Sequence, residues 1–199
     1  SGFIVEDDYD GEFYFGNSPQ PALRSIDASE RVIFDGTFSK SLFPSLRLGF
    51  TVVPQRMIEA FDQLFASWVS GPPTMTQAIV ADFMDEGHFA THIRLMRRLY
   101  KARFDSLMEA SQALKGAIDV QPTSGGFHTP AFLAPELDEA KVIAQAAERD
   151  VTLVPLNRYC LAPIEAKGFA IGFGSATPEE IRKGIEVMRG LPELRKKLV

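Results

Sequence analysis

Lys40 stands at the end of Gly36-Thr37-Phe38-Ser39-Lys40, after the apolar stretch Val32-Ile33-Phe34 and seven residues before Arg47. Thirty-three residues upstream of the lysine lies Asp7, inside Glu6-Asp7-Asp8-Tyr9. A lysine amine forms an imine with an aldehyde only when unprotonated, and its free pKa is about 10.4. A reacting lysine therefore needs surroundings that disfavour its charge. A pyridine ring withdraws electrons best with its nitrogen protonated, and a carboxylate against that nitrogen holds the proton there. A guanidinium offers a planar fork that matches a phosphate. An acid, a phenol, a hydroxyl-flanked lysine and an arginine in this order suit the holding and activation of pyridoxal 5'-phosphate (PLP). Lys40 is the Schiff-base candidate, Asp7 the partner of the ring nitrogen and Arg47 the phosphate ligand.

If Gly2 to Asp8 is a strand, alternation places Asp7 with Tyr9 on one face and Asp8 on the other. Tyr9 can then reach the phenolate oxygen of the ring, and Thr37 and Ser39 supply small hydroxyl donors beside the lysine. Each residue alone has an ordinary reading. Asp8 and Asp10 fit solvated loop acids, Lys40 a surface lysine, and Arg47 an exposed residue on a half-buried strand. The joint order carries the argument.

The elements that must position these residues read as follows. Residues 2–6 and 32–36 form short buried strands, and Leu48 to Val53 a third. Pro54 opens a helix from Gln55 to Trp68. Gly71-Pro72-Pro73 is a hard break, and Thr74 caps a helix to Asp85. Gly87 interrupts, and a second helix runs from Phe89 to Leu114. Strands then fall near Ala117–Gln121, Gly126–Phe132, Thr152–Pro155 and Phe169–Phe173. Helices fall near Leu137–Asp150 and Pro178–Arg189. This βαβ-like alternation predicts an α/β chain.

These motifs resemble the signature of the class I, fold-type I aminotransferases, through Glu6-Asp7-Asp8-Tyr9-Asp10, Gly36-Thr37-Phe38-Ser39-Lys40 and Leu46-Arg47-Leu48-Gly49. The Glu-Asp-Asp-Tyr-Asp form is most similar to the aminotransferase-like domain of MocR-type regulators of the GntR family. Gly87-His88-Phe89, Met96 to Tyr100, Gly125 to His128, Gly172-Phe173-Gly174 and Thr177-Pro178-Glu179-Glu180 extend the likeness along the chain. The resemblance implies part of a fold-type I large domain over residues 1–90, followed by a small α/β C-terminal domain over 91–199. It implies that Lys40 is the Schiff-base lysine, Asp7 and Tyr9 ring partners, and Thr37 and Arg47 phosphate ligands. It further implies that Arg158 receives a carboxylate of the substrate or effector. Ordinary aminotransferases carry that arginine on the last strand, which here reads Gly168 to Phe173 without one; this favours the regulator branch.

On this reading the chain is the C-terminal portion of a longer protein, without the upstream glycine-rich phosphate cradle or the ring-stacking aromatic. The parent is then a cytoplasmic homodimer that senses an amino compound, or an amino acid with a carboxylate, by exchange at Lys40, the family's active site borrowing residues from a partner subunit, here around Gly71 to Thr74. DNA is bound only through an upstream domain. The first rival is a plain PLP-dependent aminotransferase; the second is a fragment that binds no cofactor.

Composition sets outer bounds. The 199 residues are 45% hydrophobic, enough for a sizeable core. A net charge of -5 argues against nucleic-acid binding by this segment. The lone Cys160 excludes an intrachain disulfide, and no apolar run is long enough to span a membrane. Sixteen phenylalanines suit a well-packed interior. Glu6-x-Asp8-x-Asp10-Gly11 imitates a calcium loop, but the twelfth position is Asn17 in place of the required glutamate. His88 and His92 lie four apart without a third ligand and read as polar helix-surface residues. The basic run from Arg94 to Arg103 reads as a solvated face pairing with Asp85, Glu86 and Asp105.

Overall fold

The computed structural model describes residues 2–16, 20–67 and 73–198. The chain divides into two compact units, Ser1–Arg97 and Arg98–Val199.

In the first unit, β1 (Ile4–Asp8), β2 (Val32–Thr37) and β3 (Gly49–Val52) form one sheet in that order. β1 and β2 run parallel, with Asp7 opposite Asp35 and Asp8 opposite Gly36. β3 is antiparallel to β2 and starts with Gly49 opposite Thr37. Chain leaving β1, chain leaving β2 and chain entering β3 therefore share one edge of the sheet. The β-branched and aromatic residues Val32, Ile33 and Phe34 suit a pleated surface. The turn feeding β2 is closed by Asp27, whose carboxylate accepts from the Ser29 hydroxyl and from the N–H groups of Ser29, Arg31 and Val32, at 2.6–2.8 Å. Those donors, the Ser29 hydroxyl foremost, hold its carboxyl well below the usual carboxylate range. Glu6 ties β1 to α1 (Leu23–Ile26) by accepting the N–H groups of Leu23 and Arg24 at 2.7 and 2.9 Å. It thus satisfies two donors that a helix start leaves open.

β2 runs directly into α2 (Phe38–Ser41). After β3, Pro54 precedes a 3-10 turn, Gln55–Met57, that passes into α3 (Ile58–Ser67). The expected end of this helix at Trp68 and the break at Gly71-Pro72 lie outside the described residues. α4 spans Thr74–Asp85, and Pro73, not Thr74, takes the capping position without a side-chain bond. Gly87, at φ 77°, separates it from the long α5 (His88–Ser111), which crosses from the first unit into the second.

The expectation of buried strands fails for β1 and β3. Ile4 and Val5 are 53% and 63% exposed, and Phe50 and Val52 are 42% and 43% exposed. Strands are covered on both faces where helices layer both faces of a sheet. Here the buried cluster Phe38, Leu48 and Val80, with Leu42, Leu46 and Phe89 against it, gathers beyond the carboxyl end of β2. Nor do the phenylalanines all serve the interior: Phe13, Phe169 and Phe173 are fully buried, but Phe3, Phe43, Phe65 and Phe132 are exposed.

In the second unit four strands follow the order β4 (Ile118–Val120), β5 (His128–Leu133), β7 (Gly168–Gly172), β6 (Val154–Pro155). Every neighbouring pair is antiparallel. β5 and β6 point the same way and are joined through α6 (Glu139–Ala147), but β7 inserts between them. The alternation is thus a split βαβ unit. α7 (Pro178–Arg189) opens with a capping box, the Thr177 hydroxyl accepting from the Glu180 N–H and the Glu180 carboxylate from the Thr177 N–H. A short α8 (Pro192–Arg195) follows, and its Leu194 is fully buried with Leu114 and Val142. No helix among the described residues is long and apolar enough to cross a membrane.

Candidate functional site

Topology brings six of the seven candidate residues to one edge of the first sheet. Asp7 is the penultimate residue of β1 and Tyr9 follows the strand's end; Thr37 ends β2; Ser39 and Lys40 lie in α2; Arg47 lies two residues before the start of β3. This is the carboxyl edge of the parallel pair β1–β2, where open α/β sheets place their ligands.

The two aspartates of β1 have different surroundings. Asp8 is half-buried, and its carboxylate accepts the Gly11 N–H at 2.7 Å. A Cβ on Gly11 would lie 2.2 Å from that carboxylate, so glycine is what lets the turn close on it. Asp7 is exposed, and its in-register neighbour Asp35 accepts the Thr51 hydroxyl at 2.6 Å. Since β1 ends at Asp8, Tyr9 sits in the bend beyond it, where strand alternation no longer sets its direction. In the same turn, burial pushes the Glu12 carboxyl up from its ordinary value. The Arg97 guanidinium donates to the Glu12 carbonyl.

Thr37 caps α2, its hydroxyl oxygen accepting the Ser39 N–H at 3.1 Å. That leaves the hydroxyl proton free to be donated. Lys40 is exposed, one residue before the end of α2. The turn carrying it is held by Leu42 N–H to the Phe38 carbonyl at 2.8 Å and Phe38 N–H to the Leu48 carbonyl at 3.0 Å. Arg47 follows the 3-10 turn Pro44–Leu46 and adopts φ 52°, ψ 38°, a left-handed conformation rare outside glycine. Its side chain is exposed. A lysine amine, a hydroxyl, a guanidinium and a carboxylate, the kinds of group that PLP binding calls for, thus lie on one edge.

Arg158 belongs to the second unit. It lies exposed in the 3-10 turn Leu156–Tyr159 after β6. The loop beyond it is closed by Asn157, whose amide accepts the Ile164 N–H at 2.8 Å and donates to the Ile164 carbonyl at 3.4 Å.

The other polar features resolve differently from expectation. His88 is exposed and pairs with Glu86 at 3.1 Å. His92 is half-buried, not a surface histidine, and its Nε2 lies 2.8 Å from the Ser41 carbonyl oxygen. Of the basic run, Lys101 pairs with Asp105 at 2.7 Å, whereas Arg97 and Arg103 donate to the carbonyls of Glu12 and Gly174. Those carbonyls lie far away in sequence, so charge pattern along the helix could not reveal them. Sequence reasoning likewise missed Glu6 and His92 as fasteners of the edge, because their partners are 17 and 51 residues away. Among the described residues, no three His, Cys, Asp or Glu side chains group to hold a metal ion.

The profile of the family described as aminotransferase class I and II matches residues 2–187. The probable rhizopine catabolism regulatory protein MocR of Rhizobium meliloti is 36% identical over 94% of this chain and 38% of its own length. The uncharacterized HTH-type transcriptional regulator YhdI of Bacillus subtilis is 37% identical over 95% of this chain and 40% of its own length. The crystal structure of Pyrococcus horikoshii kynurenine aminotransferase superposes with a TM-score of 0.83 at 25% identity, covering 98% of this chain and 48% of that one. The chain thus spans less than half the length of these relatives.

Proposed function

We propose, for a chain that belongs to the aminotransferase class I and II family, that it forms part of the PLP-binding effector domain of a MocR-type transcriptional regulator. The observation that carries this reading is the gathering of Asp7, Tyr9, Thr37, Lys40 and Arg47 at one sheet edge. The curated relatives with 36% and 37% identity, both regulators by name, support it over a plain enzyme.

When bound, PLP supplies an aldehyde that takes amines covalently and a ring that withdraws electrons. Lys40 contributes the amine. The exposed Asp7 carboxylate holds a proton on the ring nitrogen, and Tyr9 donates to the ring oxygen. Arg47 lays its fork on the phosphate, and Thr37 adds the hydroxyl proton that its capping role leaves over. Arg158 would receive the carboxylate of an amino compound. A ligand with different affinities for two arrangements of the protein shifts the population between them. Residues 1–90 serve as the large-domain part and 91–199 as the small domain, in a cytoplasmic homodimer. DNA is contacted through a separate domain of the full-length protein.

The test is covalent trapping. Full-length protein carrying this chain is incubated with PLP and reduced with borohydride, and the adduct is located by peptide mass spectrometry. The expected site is Lys40, and Lys40→Ala should abolish the adduct while the fold persists. An adduct at another lysine, or none, refutes the assignment. A plain aminotransferase is the second reading, favoured by the aminotransferase structures that superpose on the chain. Lys40 would then also carry the proton at the substrate carbon, and steady transamination without a DNA response would show it.

A further inference from the structure

The turn that carries Lys40 ends on a buried carbonyl whose partner comes from α5. His92 Nε2 lies 2.8 Å from the Ser41 carbonyl oxygen, across 51 residues of sequence. A carbonyl only accepts, so the imidazole carries a proton on Nε2. Ser41 is 1% exposed and is the last residue of the four-residue α2. A helix leaves its final carbonyls without partners of its own, and one left unpaired inside a protein is costly. Three residues before His92, on the same face of α5, Phe89 meets Phe38 edge to face with ring centroids 6.0 Å apart. Lys40 thus rides on a turn fastened at both ends to one helix, by an aromatic contact before it and a hydrogen bond after it.

We propose that His92 is a positioning residue for Lys40. By holding the Ser41 carbonyl it keeps α2 docked on α5, and so presents the Lys40 amine at one place on the sheet edge. The functional consequence rests on Lys40 being the reactive lysine; the fastening itself does not.

Hydrogen–deuterium exchange of the chain, read on peptides spanning residues 37–46, tests the fastening in wild type, His92→Leu and His92→Gln. Leucine cannot donate; the glutamine amide reaches about where Nε2 sits. In His92→Leu the opening of this segment should rise about 5- to 30-fold, the factor expected for one lost hydrogen bond to a buried group. Peptides from the second-unit sheet should not change, and His92→Gln should return toward wild type. Unchanged exchange in His92→Leu, or a glutamine variant as open as the leucine one, overturns the proposal. If the leucine variant does not fold, nitrogen NMR of the wild type decides. A neutral His92 ring protonated at Nε2 supports the fastening, and a bare Nε2 overturns it. In parallel, the yield of borohydride-trapped PLP on Lys40 should fall in His92→Leu and recover in His92→Gln. No adduct even in wild type would refute the cofactor reading, while the exchange result would still decide the role of His92.

Discussion

Replacing Arg47 by glycine should make the first unit more stable and at the same time unable to grip a phosphate. Arg47 sits at φ 52°, ψ 38°. That conformation costs a residue with a Cβ about 1–2 kcal/mol. Glycine escapes this cost but loses about 0.5–1 kcal/mol through the greater freedom of its unfolded chain. Because the Arg47 side chain is exposed, little packing is lost with it. Arg47→Ala is the matched control, since it removes the guanidinium and keeps the Cβ. The glycine variant should therefore exceed the alanine variant by about 0.5–1 kcal/mol. For a unit the size of Ser1–Arg97, that is roughly 2–8 °C in melting temperature. Glu30, at φ 52°, provides an internal check: Glu30→Gly should stabilise similarly without touching phosphate binding. Thermal melts followed by circular dichroism read the first quantity. Titration of full-length protein with PLP reads the second, where both Arg47 variants should lose about 1.5–3 kcal/mol of binding, the worth of a hydrogen bond to a charged group. A glycine variant no more stable than the alanine variant would refute the strain. Unchanged binding in both would refute Arg47 as the phosphate ligand.

A Cβ on Gly49 would lie 2.8 Å from the Gly36 carbonyl oxygen, a backbone atom of the paired strand. Gly49→Ala should therefore cost about 1–3 kcal/mol by urea titration. Gly36→Ala should cost less, because its Cβ meets the Phe50 ring, a side chain that can swing; equal midpoints for the two would contradict this. The Glu193 carboxyl is held below the usual carboxylate range by the Lys196 ammonium and then by the Asp138 N–H. A carboxylate with a depressed folded pKa contributes stability that is present above its unfolded value, about 4.3, and lost as pH falls through the folded one. Acid melts of Glu193→Gln should accordingly fall less steeply below about pH 4 than those of wild type, and parallel curves would count against it. Arg158→Ala should spare PLP binding and weaken the response to a carboxylate-bearing amine by about 1.5–3 kcal/mol. Arg158→Lys should rescue only partly because an ammonium lacks the fork; a wild-type response from both places the carboxylate elsewhere.

What the sequence determined by itself is what local chemistry encodes. The β-branched and aromatic run into Gly36-Thr37 marked β2, the Thr177-Pro178-Glu179-Glu180 signature marked the start of α7, and Gly87 marked the break between α4 and α5. The types and order of Asp7, Tyr9, Lys40 and Arg47 suggested the chemistry proposed above, because each motif lies within a few residues of its own element. Tertiary structure decided everything that depends on partners distant in the chain. It inserted β7 between β5 and β6, so that the βαβ-like alternation forms an antiparallel sheet. It engaged Asp8 in a turn and left Asp7 exposed, and it drew Glu6 to α1 and His92 to Ser41. The physical reason is range. Periodicity and capping act over three or four residues, whereas burial and the satisfaction of a buried carbonyl depend on which surfaces the folded chain brings together.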